Sequence, residues 1–390
     1  MRILFVADGR SPIALNWMRY FAEREDVYLA STFACSPDLP LKGLDIVPVA
    51  FSGLKKTNTT PHAASSPGPS TSLRTSPGLR TVIRQWLGPL TISRAARGLR
   101  AVIERVQPDL IHALRIPYEG MLAADAHAGM PLLISVWGND FTLHAPSTPL
   151  MRHSTRRALQ AADALHADCQ RDLRLAREWG LAVDKPTLVT PGNGGVRTDI
   201  FHPPRKPVEA PVILNPRGFR TYVRNDVFFK AIPLVLAKRP EARFLCASMA
   251  GEPQALQWSK EPGIQHAVEL LPPMPHAEMG SLFRRAQLVV SPAIHDGTPN
   301  SLLEGMACGC FPVAGDLESI REWITPGLNG LLADAADAHA LANAMLTALE
   351  NKDLRDKAAG LNQDLILSRA EYKRCMAKAE NFYKNLNLAT

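Results

Sequence analysis

The residues best suited to chemistry cluster at 291–330, SPAIHDGTPNSLLEGMACGCFPVAGDLESIREWITPGLNG. Asp296 follows the apolar run 288–291 and so sits at a strand exit. Gly297-Thr298-Pro299-Asn300-Ser301 reads as a turn into a helix, and Glu304 falls in that helix's first turn. Backbone N–H groups there lack intrahelical partners, and such an end holds a phosphate-bearing ligand. The Glu304 carboxylate has two readings: an acceptor for ligand hydroxyls such as a ribose, or a cap on its own helix. Asp296 is likewise a hydroxyl acceptor or a turn former, and His295 beside it reaches a ligand or only solvent. A second set, Asn215-Pro216-Arg217-Gly218-Phe219-Arg220 with Arg224, follows the apolar run 212–214. Guanidinium forks pair with phosphate oxygens, so Arg217, Arg220 and Arg224 suit a diphosphate; the competing reading is a solvated loop. Gly218 would let backbone approach a ligand.

The first half of the chain offers single positions at strand ends. Asp8-Gly9-Arg10-Ser11-Pro12 is a turn between a first strand and helix, without the GxGxxG dinucleotide pattern. Trp137-Gly138-Asn139-Asp140 follows a strand and should turn Asp140 to a cleft, though Trp137 also suits a packing role. Asn193-Gly194-Gly195-Val196 reads as a tight turn near a domain exit. His112 ends a strand, and a packing histidine is the simpler reading. No HExxH, GxSxG or Walker pattern is present. The six cysteines have no zinc or iron–sulfur spacing, so free thiols in a reducing compartment are expected.

These positions need a scaffold of strands and helices. Short apolar strands at 2–7, 28–32, 44–49, 110–113, 131–136, 164–167 and 186–190 alternate with helices at 12–24, 119–128, 152–162 and 171–179. A second alternating series starts at Val212 and runs to a helix at 338–350, with a last helix over 369–385. Alternation of this kind means parallel, helix-covered sheets. The fold class expected is α/β, with two tandem Rossmann-like doubly wound domains facing each other across a cleft. The expected divisions are 1–205, 206–368 and a terminal helix 369–390 packing back on the first domain.

The 390 residues are 46% hydrophobic and 21% charged, the balance of a globular chain. The formal charge of +7 is uneven. Residues 55–105 hold nine Lys or Arg and one acid, Glu104, leaving the remainder near neutral. Within this stretch 57–79 contains ten Ser or Thr and four Pro among 23 residues, too polar to order itself, and about 55–79 is expected to be a flexible basic loop. A helical stretch, 80–105, follows, with a break at Gly88-Pro89. The sparse aromatics speak against a nucleic-acid platform. The N-terminal apolar run is too short for a signal peptide, and no run of 18 apolar residues exists to span a membrane.

With these residues in view, the chain resembles the retaining GT-B glycosyltransferases of the large bacterial family four, also called glycosyl transferases group 1. The family has two acids eight residues apart around a glycine-rich turn, then a small-residue run and Pro-Val. Here these are Asp296, Glu304, Met306-Ala307-Cys308-Gly309 and Pro312-Val313, with aspartate at the first position where the family has glutamate. The resemblance implies that Glu304 binds the donor ribose and that Asp296 with 297–301 touches donor sugar or phosphate. It implies that Arg217 binds the diphosphate, partnered by Arg224, with Arg220 a competitor, and that 273–282 lies near the base. Gly9 matches a less glycine-rich first loop. Asp140 matches an acid that often follows the family histidine and is implied to be catalytic, with Arg217, Arg224 and Asp296. His112, Trp137, Asn139 and Asn193 fall on the acceptor side, with Trp137 standing where the family often has histidine.

The implied function is a retaining transfer of sugar from a UDP- or GDP-sugar to a hydroxyl acceptor in cell-surface glycan, glycolipid or natural-product biosynthesis. The nucleotide-sugar is a co-substrate; no cofactor or metal is implied. Alternatives are a non-catalytic nucleotide- or glycan-binding protein on the same scaffold, and a related phosphorylase or epimerase-like enzyme. The expected location is cytoplasmic. Residues 55–105 either associate peripherally with anionic membrane or form a solvated loop and helix over the acceptor cleft.

Overall fold

The computed structural model describes residues 1–52, 77–127, 129–206, 208–220 and 222–388. The expected loop 57–79 lies outside them except for its last three residues, which begin a helix. The first sheet contains β1 (Arg2–Ala7), β2 (Asp26–Ser31), β3 (Gly43–Ile46), β4 (Leu110–Ala113), β5 (Leu132–Val136), β6 (Ala164–Ala167) and β7 (Thr187–Val189). The second contains β8 (Val212–Asn215), β9 (Arg243–Cys246), β10 (Val268–Leu270), β11 (Leu288–Ser291), β12 (Phe311–Gly315) and β13 (Leu331–Ala333). Their orders are β3-β2-β1-β4-β5-β6-β7 and β10-β9-β8-β11-β12-β13, with every pair parallel. Each order reverses once, at β1/β4 and at β8/β11, and such a reversal opens a crevice at the strands' carboxyl ends. The continuous apolar runs follow from this topology, because a helix-covered parallel sheet buries both faces.

The helices on the first sheet are α1 (Pro12–Ala22), α2 (Pro77–Leu87), α3 (Ile92–Val106), α4 (Met121–Ala126), α5 (Pro149–Ala161) and α6 (Gln170–Trp179). On the second they are α7 (Asn225–Leu236), α8 (Pro253–Ser259), α9 (His276–Phe283), α10 (Asn300–Ala307), α11 (Glu318–Arg321) and α12 (Ala338–Glu350); α13 (Lys352–Arg369) and α14 (Tyr372–Leu388) follow. α1 shows why they form. Ser11 caps it, Pro12 sits where no N–H partner is needed, and Ala14, Trp17, Met18 and Phe21 make one buried stripe. The break in the 80–105 stretch is a single 3-10 turn, Gly88–Thr91. Two expectations need correction. The helix expected over 119–128 is present but shorter, as α4, entered through a wide turn, Ile116–Gly120. The last helix begins at Tyr372, and α13 before it was not expected; it buries only Ala358, Asn362 and Ile366, too thin a stripe to read as periodic.

α14 lies against α1. Tyr383 stacks on Phe21 at 4.4 Å, and its hydroxyl begins a fully buried polar chain through the first sheet. Trp17 Nε1 donates to Tyr383 Oη (2.8 Å), and Tyr383 in turn meets His112 Nδ1 (2.5 Å). His112 Nε2 reaches Ser135 Oγ (2.8 Å), Ser135 reaches His166 Nδ1 (2.8 Å), and His166 Nε2 reaches the Thr190 carbonyl (3.0 Å). One proton arrangement satisfies every link: each hydroxyl donates to a histidine Nδ1, and both imidazoles are neutral with the proton on Nε2. Burial supports that state, holding His112 well below the usual histidine range and His166 at about 4. Tyr383→Phe leaves the Trp17 N–H and His112 Nδ1 without partners. The expected loss is about 1–3 kcal/mol of unfolding free energy in urea titration; an unchanged midpoint would refute this role for the chain.

Candidate functional site

The two crevices face each other and form one cleft of about 640 Å³. Its walls are the residues just past β1, β4, β5 and β6 on one side and past β8 and β11 on the other. The floor is where the two halves touch. A Cβ on Gly138 would run into the backbone of Gly297, and one on Gly297 would run into the Asp168 carboxylate. Only the absence of side chains at both positions lets the strand exits meet.

Polar groups lock that contact. Asp168 Oδ2 accepts from the backbone N–H of Gly138 (3.2 Å) and of Thr298 (3.3 Å), while Thr298 Oγ1 donates to the Asp168 carbonyl (2.5 Å). Buried Arg171 donates to the carbonyls of Gly138 (2.7 Å) and Asp296 (2.6 Å) and to Ser319 Oγ (3.1 Å). Asp172 neutralises it at 2.6 Å. Burial, and after it the neighbouring Asp172, hold the Asp168 carboxyl well above the usual range. Asp168, Cys169 and Asp172 also form a group with metal-ligand chemistry. Arg171 already occupies one Asp172 oxygen, and burial pushes the Cys169 thiol far up, so no thiolate is offered.

The second sheet's wall carries two cationic groups, Arg217 and Arg220. Arg217 meets Asp296 at 2.7 Å, both side chains nearly buried. The contact is electrostatic, since that Asp296 oxygen has no partner of hydrogen-bond geometry. Burial raises the Asp296 carboxyl and Arg217 opposes the rise. Arg220 also lines the cleft, its Nε turned to the Arg217 carbonyl at 3.4 Å. Thr298, Pro299, Asn300 and Ser301 bring the start of α10 to the same wall, and Asn300 Oδ1 is buried there without a hydrogen-bond partner among the described residues. Glu304 lies one turn in, past the capping position. It caps nothing among the described residues; its Oε1 pairs with His276 Nε2 at 2.7 Å. The first sheet's wall carries Ser11, Asn16, Arg115, Trp137, Asn139 and Asn193. Asn16 Nδ2 donates to the Asn193 carbonyl (2.6 Å), and Arg115 Nη2 donates to Asn139 Oδ1 (3.0 Å).

Five expected site residues are elsewhere. Arg224 sits at the start of α7, bound through both fork nitrogens to Asp226 (2.8 Å each), so Arg220 joins Arg217 on the second sheet's wall. Asp140 is buried and does not line the cleft. It accepts from Arg115 Nε (2.8 Å) and from the backbone N–H of Trp137 (3.1 Å) and Ile116 (3.3 Å), holding the loop after β5 in shape. His112 belongs to the buried chain described above. Gly9 is buried, its N–H donating to Ser31 Oγ (3.0 Å). Gly218 makes a left-handed turn (φ 64°) against Ser248 rather than facing a ligand. Gly297 is part of the floor. His276, Arg171, Asp168 and Arg115 were not singled out from sequence. Asp168 and Arg115 follow β6 and β4, so the strand-exit rule that marks Asp296 marks them too; His276 and Arg171 carry no comparable signal.

Comparison with known proteins agrees with this architecture. Residues 55–194 match the family described as "Glycosyl transferase 4-like domain" and 211–351 the one described as "Glycosyl transferases group 1". The chain thus carries a glycosyl transferase 4-like domain followed by a group 1 glycosyltransferase domain. Its GT-B fold is shared with sucrose-phosphate synthase from Thermosynechococcus elongatus, at TM-score 0.77 and 15% identity over the whole of both chains. Anabaena HepE in complex with UDP-glucose is also similar, at TM-score 0.71 and 17% identity over 98% of this chain and 100% of that one. The D-inositol 3-phosphate glycosyltransferase of Thermobispora bispora is 29% identical over 187 residues, 43% of this chain and 44% of its own. The chain spans about half the length of the curated relatives it matches.

Proposed function

We propose that this protein is a retaining glycosyltransferase that moves a sugar from a UDP-sugar to a hydroxyl acceptor. The observation that carries the reading is the convergence of Arg217, Arg220, the start of α10 and Glu304 on one cleft wall. Two guanidinium groups and a helix N-terminus suit a diphosphate, and a carboxylate one helical turn away suits the ribose hydroxyls. UDP is favoured over GDP because HepE, of the same fold, is described in complexes with UDP and with UDP-glucose.

In this reading the diphosphate leaves as the bond to the sugar breaks, and Arg217 and Arg220 offset the developing charge. Asp296 keeps Arg217 aimed at the cleft. No side chain is assigned as the base. Asp140 is occupied by Arg115 and two backbone amides, so front-face attack, with a donor phosphate oxygen taking the acceptor proton, fits the site best. The locked floor beneath the cleft supports exclusion of water around the reacting atoms.

The acceptor would enter from the first sheet's wall. A second cavity of about 330 Å³ joins the cleft at Ser11, Arg115 and Trp137 and presents Phe33, Tyr118 and Arg84. Beside it α2 and the turn after it expose Val82, Ile83, Trp86, Leu87 and Leu90. Apolar groups flanked by arginines suit the surface of an anionic membrane, which supports a lipid-linked or surface glycan acceptor.

Two outcomes test these readings. Arg217→Ala and Glu304→Ala are each expected to lower sugar transfer about 100- to 1,000-fold in an assay with UDP-glucose and other UDP-sugars, with melting temperature kept. Arg224→Ala should stay near wild type; full activity in the first two variants would remove the donor site. Wild type should float with vesicles containing anionic lipid and not with neutral ones, and Trp86→Glu should weaken this. No binding of wild type to anionic vesicles would dismiss the membrane reading.

A further inference from the structure

His276 stands at the first position of α9 and lines the cleft beside α10. Its ring packs on Phe201 at 4.8 Å, and Phe201, fully buried, packs in turn on Phe283 at 5.9 Å. The imidazole is therefore held from behind by an aromatic stack. From that support its Nε2 reaches Glu304 Oε1 at 2.7 Å, while about half of its side chain remains exposed to the cleft.

This arrangement spends one oxygen of a nearly buried carboxylate on a protein partner. The other oxygen then has its direction set by a rigid group instead of by a free χ3 rotation. A carboxylate meant for a pair of ribose hydroxyls gains from being fixed before the ligand arrives.

We propose that His276 is a positioning residue for the nucleotide donor, orienting Glu304 toward the ribose and adding positive charge to the donor wall. The inference rests on the assignment of Glu304 to the donor. The imidazole also titrates in place. The hydrogen bond to Glu304 raises His276 above 6.5, burial opposes the rise, and the Glu304 charge adds to it; Arg197, from the segment before the second sheet, pulls the other way. The protonated ring neutralises Glu304 and favours an anionic ligand. Nucleotide affinity should therefore be full at low pH and fall as pH rises through the His276 titration.

The test is calorimetric binding of UDP and GDP, from pH 6 to 9, to wild type, H276A, H276Q, E304A and the H276A/E304A double variant. H276A is expected to bind the preferred nucleotide about tenfold more weakly, with melting temperature unchanged, as the loss of one charged hydrogen bond implies. In transfer assays its donor KM should rise while kcat holds. H276Q keeps a donor nitrogen without the charge, so it should recover most of the affinity at pH 8 and lose the pH dependence. Because His276 acts through Glu304, the double variant should bind no more weakly than E304A. Wild-type affinity in H276A, or losses that add in the double variant, would overturn the inference while leaving the donor site intact. Failure of wild type to bind either nucleotide would overturn the donor reading itself.

Discussion

Everything in the cleft depends on one close approach, that of Gly138 to Gly297. The two sheets share no strand, and each would fold its crevice alone. They become a single site because the backbone after β5 touches the backbone before α10, with Asp168 accepting from both sides and Arg171 donating to both. A methyl group at either glycine would separate the walls. The contact also explains a costly feature, a buried carboxyl, Asp168, whose Oδ1 finds no hydrogen-bond partner among the described residues. Unpaired buried oxygen is destabilising, and here it accompanies the contact that registers one wall against the other.

With the walls registered, chemistry divides between them. Cationic groups and a helix N-terminus lie on the second sheet's side, where Asp296 and Glu304 each hold one of them or its neighbour in place. The first sheet's side carries amides, an aromatic and Arg115, which is held by Asp140 and Asn139. α14 ties the halves further, since it follows α13 of the second half and packs on α1 of the first through Tyr383. The backbone crosses at the same place: the Val196 N–H donates to the Ala370 carbonyl (2.7 Å), and the Tyr372 N–H donates to the Val196 carbonyl (3.0 Å). A Cβ on Gly195 would meet that Ala370 carbonyl, so the Asn-Gly-Gly-Val turn is needed for this crossing.

Much of this was legible in sequence because parallel strands announce themselves as apolar runs and their exits as the first polar residue. That rule placed Asp296, Arg217 and Trp137 on the cleft. It failed where a strand-end residue turns inward. His112 follows the rule by position, yet α14 and β5 supply it with buried partners from 271 and 23 residues away. Asp140 failed for the same reason, since Arg115 lies 25 residues earlier. Arg224 was displaced by a local competitor, Asp226, only two residues on. His276 fell within the segment 273–282 expected near the base, but its own role was not legible, because that role comes from Glu304, 28 residues later, and from the ring of Phe201 behind it.

The most direct measurement is a crystal structure of the protein with UDP bound. The account predicts the diphosphate within hydrogen-bond reach of Arg217 or Arg220 and of the first amides of α10, with the ribose hydroxyls on Glu304 and the Gly138–Gly297 contact preserved. A nucleotide bound elsewhere, or one in the cleft whose phosphates touch neither arginine, would contradict it.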